Sequence, residues 1–205
     1  MEDIILIGFG GHAKSVIDTI EKQKKYKIIG FTDINKEQTY RGYSVVGTDD
    51  DLKKIFESGV QSAFITIGYL GDSSLRNKLY RELREIGYVI PVIVDDTAVL
   101  ASDVVVGEGT YIGKNAVVNS AARIGEMCII NTGAIVEHDC DVQAFSHVAV
   151  GATLCGAVKV GAETLIGANA SILQGVEIGE RVKVGAGTVV VKNVPGNITV
   201  CGTWK

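Results

Sequence analysis

The sequence predicts two domains of different grammar: a small Rossmann-like α/β sheet over residues 1–92, then a parallel β-helix of hexapeptide repeats over 93–205. Two observations carry this. An aliphatic residue recurs at every sixth position from Val94, through Leu100, Val106 and Ile112, to Val190. The first ninety residues instead alternate apolar runs with helical patterns around a glycine-rich turn.

In the first domain, "DIILIGFGGHA" reads as an apolar strand, a glycine turn and a helix from about His12 to Lys24. "KIIGFTD" is a second strand ending in Asp33, "SAFITIG" a third ending at Gly68, and Asp72 to Gly87 a helix. Gly8-Phe9-Gly10-Gly11-His12-Ala13 fits G-x-G-x-x-A, with Asp33 20 residues past Ala13. A dinucleotide fold needs two mononucleotide halves, and only one fits here. Backbone N–H groups at Gly10, Gly11 and His12 can hold a diphosphate at a helix N-terminus, and Asp33 can accept from a ribose or a base. The plainer alternative is that the glycines only shape a tight turn and His12 only caps the helix.

In the second domain, the residue four after each aliphatic is small or β-branched: Ala98, Val104, Thr110, Ala116, Ala122, Cys128 and onward. Strand alternation points the aliphatic and the small residue two before it inward. The residue after the aliphatic is often glycine, as in Gly107, Gly125 and Gly161, which reads as the corner that permits the turn. Three hexads close one coil, coils stack at roughly 4.8 Å, and the array makes nearly six coils. Cys128 and Cys140 fall on the inward position and read as core filler.

A net charge of -4 without any Lys/Arg run argues against a nucleic-acid partner. No apolar stretch approaches the ~20 residues of a membrane span, and Met1 to Gly8 lacks the features of a signal peptide. Four cysteines without C-x-x-C spacing read as reduced thiols in a cytoplasmic protein.

Two of the three histidines lie in "AIVEHDCDVQAFSHVAVGA". His138 stands two after Val136, on a corner; His147 lies between inward Ser146 and Val148; both therefore face outward. They are either solvated surface groups or chemistry. Histidine accepts a proton near neutral pH, and a carboxylate such as Asp139 stabilises the resulting imidazolium. No metal is expected: β-helices of the carbonic-anhydrase type use three clustered histidines, and His12 lies in the other domain. A smooth prism offers no deep cleft, so a neighbouring chain must complete the site, which predicts a homotrimer with active sites between subunits.

G-G-H near the start, combined with E-H-D-C and S-H-V in the repeats, resembles the bacterial sugar O-/N-acyltransferases of the NeuD and PglD type over essentially the whole chain. The resemblance implies a left-handed β-helix, although parallel crossovers are normally right-handed. It also implies acetyl-CoA-dependent N-acetylation of a UDP-linked 4-amino-4,6-dideoxy sugar in bacterial glycan biosynthesis, and a trimeric assembly with the first domain as a lid. It makes His138 the general base and Asp139 the residue that raises its basicity. It assigns the sugar nucleotide to Gly10, Gly11, His12, Asp33 and Gly68, and acetyl-CoA to His147 and to the backbone at Ala168 and Ala186. Some members double the acid after the second strand, whereas Ile34 follows Asp33 here. Members often end in Gly-x-Pro-Ala-Lys/Arg; this chain ends Gly202-Thr203-Trp204-Lys205, so Trp204 either stacks on adenine or caps the prism. Within the family, O-acetylation of sialic acid or another sugar and a GDP-linked amino sugar are the alternatives. From other classes, an NAD-dependent oxidoreductase lacks its second half-fold, and a non-catalytic scaffold leaves the outward His138–Asp139 pair without a purpose.

Overall fold

The structure is a computed structural model that describes residues 1–69 and 71–205. The chain folds into two compact units, Met1–Gly68 with Ser74–Ile93, and Tyr69–Ser73 with Val94–Lys205.

The first unit is built on a five-stranded sheet in the order β3-β4-β2-β1-β5: β1 (Glu2–Ile7), β2 (Tyr26–Thr32), β3 (Thr39–Tyr40), β4 (Tyr43–Gly47) and β5 (Ser62–Ile65). β1 lies between β2 and β5 and pairs with both in parallel. Its residues Ile4 to Ile7 are all fully buried, as a strand covered on both faces requires. Helix α1 (Gly11–Gln23) buries Ala13, Val16, Ile17 and Ile20, the i, i+3, i+4, i+7 stripe of a core-facing helix. It stops where Lys24 turns left-handed (φ 53°) and donates its N–H to Ile20. Two further helices, α2 (Leu52–Glu57) and α3 (Ser74–Ile86), complete the unit.

The β3–β4 hairpin and α2 have no counterpart in the sequence-based expectation. The hairpin turn places Arg41 (φ 53°) and Gly42 (φ 84°) in the left-handed region, the backbone of a tight two-residue connection. Arginine is a poor turn signal. It is held there by Asp18 at 2.9 Å and Glu21 at 2.6 Å on α1.

In the second unit, each of the repeating aliphatic positions ends a two-residue strand, from Ile93–Val94 to Val189–Val190. Strands pair in parallel with the strand eighteen residues on, as Val117 does with Ile135 and Ile135 with Thr153. This produces three faces. The first runs from Ile93–Val94 through Ile129–Ile130 and His147–Val148 to Thr199–Val200; the second from Val99–Leu100 through Ile135–Val136 to Thr203–Trp204; the third from Val105–Val106 through Asp141–Val142 to Glu177–Ile178. Inward side chains such as Val136, Val142, Val148 and Leu154 are fully buried and form one continuous core. Each such burial stabilises by about 1.5–3 kcal/mol.

The corner chemistry differs from the expectation. Every sixth residue from Gly109 to Gly187 has a positive φ, between 52° and 70°, so the left-handed turn sits three residues after the aliphatic. Asn115, Ala121, Met127, Asp139 and Phe145 are among its occupants. The glycines immediately after the aliphatic serve close approach instead. A Cβ on Gly107, Gly125, Gly161 or Gly179 would come within 2.4–2.7 Å of a backbone nitrogen in the next coil.

The inward hydroxyls and thiols also have a purpose beyond filling. Thr110, Cys128, Ser146 and Thr164 donate to the corner carbonyls of Gly125, Gln143, Gly161 and Gly179, at 2.8 to 3.2 Å. Cys140 likewise donates to the Cys155 carbonyl at 3.2 Å. These bonds satisfy carbonyls that a helix of this kind would otherwise bury unpaired.

The period breaks after Val190. Val194 bridges to Ile178 to close the third face. Trp204 then pairs in register with the inward Val190, packs on the end of the core and donates its indole N–H to the Asn193 carbonyl at 3.2 Å. Of the two roles considered for Trp204, this placement is that of an end-cap. Among the described residues, no helix is long and apolar enough to cross a membrane.

Candidate active site

His138 stands on the corner that joins Ile135–Val136 of the second face to Asp141–Val142 of the third. The next residue, Asp139, takes the left-handed turn (φ 59°), and its N–H is fixed on the Ser120 carbonyl at 3.0 Å. That turn brings the Asp139 carboxylate back to 2.8 Å from His138 Nδ1. With Nδ1–H facing a carboxylate, Nε2 is left with its lone pair. The pair is on the surface, with 55% of the His138 side chain and 62% of that of Asp139 exposed, so it orients more than it stabilises.

The other face of the imidazole rests on Gly156, which occupies the same position one coil on. A Cβ there would lie 2.6 Å from both Cε1 and Nε2. Sequence reasoning missed Gly156, although a signal existed: it is the one glycine at the second corner position of the repeat.

His147 begins the strand His147–Val148 and faces outward from the core, as its register requires, yet it is only 7% exposed. Its Nδ1 lies 2.8 Å from the Tyr69 carbonyl and its Nε2 3.2 Å from Asn131 Nδ2. Tyr69 and Ser73 belong to the second unit. The Tyr69 hydroxyl donates to the Glu163 carbonyl, and the Ser73 hydroxyl to the Glu163 carboxylate. The sequence places His147 facing outward, and the resemblance gives it a contact with acetyl-CoA; the ring is only 7% exposed, with both nitrogens within hydrogen-bond distance of protein groups.

Ala168 and Ala186 lie on the edge between the first and second faces, stacked one coil apart and half-buried or exposed. His138 lies on the next edge, between the second and third faces. One prism therefore does not bring the expected base together with the expected acetyl-CoA contacts.

In the first unit, Gly10, Gly11, His12, Asp33 and Gly68 gather beyond the carboxyl ends of β1, β2 and β5, where ligands bind in open α/β sheets. Gly10 is the N-cap of α1; no side chain caps the helix and its first turn carries no acid. A Cβ on Gly10 or Gly11 would meet nothing within 4 Å, so the fold does not demand glycine there, and the bare backbone is open to an approaching anion. Gly8 differs: its φ is 83° and a Cβ would strike the Ile67 side chain at 2.5 Å. Asp33 accepts from Phe9 N–H at 3.0 Å and Asn35 N–H at 2.9 Å, so it shapes the loop while each oxygen keeps a lone pair. Gly68 is exposed beside His12; a Cβ on Gly68 would lie 3.8 Å from that of His12. Sequence reasoning missed the aromatic wall of this site. Phe9 stacks on Phe31 at 4.3 Å and meets Tyr40 at 5.9 Å, and the Lys14 ammonium lies 5.4 Å from the Tyr40 ring. Among the described residues, no group of three His, Cys, Asp or Glu side chains could hold a metal ion.

Comparison with known proteins gives three kinds of match. The family described as PglD N-terminal domain matches residues 3–83, and that described as bacterial transferase hexapeptide (six repeats) matches residues 157–192. The crystal structure of a mutant perosamine N-acetyltransferase from Caulobacter crescentus, in complex with CoA and GDP-perosamine, is 34% identical with a TM-score of 0.93, covering 98% of this chain and 94% of that one. The acetyltransferase domain of PglB from Neisseria gonorrhoeae, in complex with acetyl coenzyme A, is 29% identical with a TM-score of 0.92 over 98% of this chain and 96% of that one. WeeI from Acinetobacter baumannii is 26% identical with a TM-score of 0.85, covering 98% and 97%. The chain spans 21% of the length of a curated relative, an uncharacterised protein of Acanthamoeba polyphaga mimivirus, to which it is 33% identical over 111 residues.

Proposed function

The chain belongs to the left-handed β-helix sugar acetyltransferases, the family of perosamine N-acetyltransferase, and from that premise we propose that it transfers the acetyl group of acetyl-CoA to the amine of a nucleoside-diphosphate-linked 4-amino-4,6-dideoxy sugar. The observation that carries the reading is the 2.8 Å contact between His138 Nδ1 and Asp139, on a ring laid against Gly156 with more than half its side chain exposed.

The amine nitrogen attacks the thioester carbon, the C–N bond forms and the C–S bond breaks. His138 Nε2 takes the proton that the nitrogen loses, Asp139 stabilises the imidazolium, and the proton passes to the departing thiolate. The nucleotide occupies the glycine turn and Asp33 of the first unit, with Gly68 and His12 beside it. Uracil was the carrier base expected from sequence; the likeness to an enzyme crystallised with GDP-perosamine favours guanine. Acetyl-CoA lies along the prism edge that carries Ala168 and Ala186.

Because one prism separates that edge from His138, the site is completed by a second copy in a homotrimer. The second face supplies the surface. Its outward ladder of Val99, Val117, Ile135, Thr153, Ser171 and Val189 carries no charge, with Val99 62% and Val189 37% exposed. The third face instead presents Arg123, Asp141, Lys159 and Glu177. Four cysteines that read as reduced thiols fit a cytoplasmic setting.

The test is thiol release from acetyl-CoA with GDP- and UDP-linked 4-amino sugars, free sialic acid and CMP-sialic acid. Turnover only with a nucleotide-linked amino sugar is expected. Turnover confined to sialic acid would move the assignment to O-acetylation, and tight NAD binding without any thiol release would overturn it.

A further inference from the structure

We propose that Thr66 is a positioning residue for the sugar nucleotide: its hydroxyl, acting with the Asp33 carboxylate, locks the Gly8–Phe9 peptide in one orientation, and the locked turn presents the bare N–H groups of Gly10 and Gly11 to the diphosphate. The proposal rests on the nucleotide reading for the identity of that ligand and on geometry alone for the lock.

Thr66 is the polar residue that directly follows β5, and it is fully buried. Valine has the same shape and would suit such a place, so the hydroxyl needs a reason. It lies within reach of two carbonyls, that of Ile7 at 3.0 Å and that of Gly8. A hydroxyl has one hydrogen to give. The Ile7 carbonyl already accepts the Thr66 N–H at 2.9 Å, so the hydroxyl hydrogen goes to the Gly8 carbonyl.

The turn is held from the other side as well. β1 runs between β2 and β5, and the chain leaves it through Gly8. The Gly8 N–H donates to the Thr32 carbonyl at 2.9 Å, and the Phe9 N–H to Asp33 Oδ2 at 3.0 Å. One peptide, the Gly8 carbonyl with the Phe9 N–H, is therefore gripped by the end of β5 at its oxygen and by the end of β2 at its nitrogen. Gly8, at φ 83° and without a Cβ, leaves that peptide free to turn over. The turned peptide would set the Gly8 carbonyl against the Asp33 carboxylate, two acceptors with no hydrogen between them. Thr66 and Asp33 thus select the same orientation, one by giving a hydrogen and the other by having none to give.

That orientation sets how the chain enters α1. Phe9 is laid flat on Phe31, and Gly10 becomes an N-cap without a side-chain cap, so the first turn keeps its N–H groups open. A cradle fixed before the ligand arrives loses little freedom on binding.

The experiment combines amide hydrogen exchange at Phe9 with calorimetry and steady-state kinetics on the full-length wild type, Thr66→Val and Thr66→Ser. The wild-type Phe9 N–H should be protected without ligand; exchange as fast as that of an open loop would refute the lock without any variant. Thr66→Val should lose that protection and bind GDP or UDP, whichever the wild type prefers, about tenfold more weakly, the worth of one hydrogen bond. KM for the sugar nucleotide should rise to match, while kcat and CoA affinity hold. Thr66→Ser, which keeps the hydroxyl, should recover most of the loss. A serine variant as weak as the valine one, or parallel losses of nucleotide and CoA affinity, would reduce Thr66 to packing. Wild-type nucleotide affinity in Thr66→Val would overturn the proposal. A wild type that binds neither GDP nor UDP would sink the nucleotide reading and the ligand given to the turn, while exchange at Phe9 judges the lock separately.

Discussion

The imidazole of His138 lies against Gly156, so closely that a single methyl group there would come within 2.6 Å of two ring atoms. Gly156→Ala should therefore be an activity variant and not a stability variant. The exposed ring can swing aside at little cost, but it then leaves Asp139 and the reacting amine. A misplacement of about 1 Å can cost up to 10²-fold, so kcat should fall at least tenfold with Tm nearly unchanged. Steady-state kinetics and a thermal melt check this; wild-type kcat would show that the ring position does not matter.

His138→Ala should lower kcat by about 10²–10⁴-fold, the usual worth of a general base, with nucleotide affinity preserved. Asp139→Asn isolates the carboxylate charge, because asparagine tolerates the left-handed backbone that Asp139 adopts at φ 59°. It should cost less than His138→Ala. A larger loss from Asp139→Asn would reverse the two roles.

Ile135→Glu plants a charge in the middle of the uncharged ladder of the second face, beside the corner that carries His138. Light scattering should report a trimer for the wild type and a monomer for the variant, and activity should fall with assembly. An active monomer would refute sites shared between copies.

Gly11→Ala has room for its methyl group and a helical backbone, so the fold should survive. The methyl group obstructs backbone approach to a diphosphate, so KM for the sugar nucleotide should rise several-fold while that for acetyl-CoA holds. Asp33→Ala should act in the same direction and also loosen the Phe9 turn that it anchors. A change in the acetyl-CoA KM alone would place the nucleotide elsewhere.

Burial pushes the Cys140 thiol up from 9.0 to about 11 and the Tyr88 hydroxyl up from 10.0 to about 12. Above the unfolded values the unfolded chain releases protons that the native chain keeps, so stability falls as pH rises. It should be flat in these groups below pH 9 and decline between 9 and 12. Urea melts across that range measure it, and Cys140→Ala should shallow the first part of the decline. An unaltered slope in that variant would assign the decline to other groups.

The repeat was legible because one aliphatic residue per hexad fills a shared core, and burial admits few substitutes at Val136 or Val142. The corner was misread by two residues. Glycine is a conspicuous letter, yet the left-handed position at Asn115, Met127 or Glu163 is held by backbone bonds to the preceding coil, such as Met127 N–H to Glu108, and needs no glycine. The environment of His147 was not legible at all. Its partner Tyr69 is 78 positions away, outside the hexad repeats. The first unit's glycine turn was legible as a motif, whereas the aromatic wall depends on a hairpin whose turn residue, Arg41, is stabilised by charges on another element.

The plugged end of the prism has a consequence for colloidal behaviour. A stack of parallel coils ends in a rung of unpaired N–H and C=O groups, which is a template for another molecule to dock on and for rods to grow end to end. Here the regular rhythm fails after Val190 and Trp204 is drawn across the last rung. The lesion that shortens the chain by its final few residues should thus be read out less as lost chemistry than as filament formation, in a protein whose remaining coils are still intact.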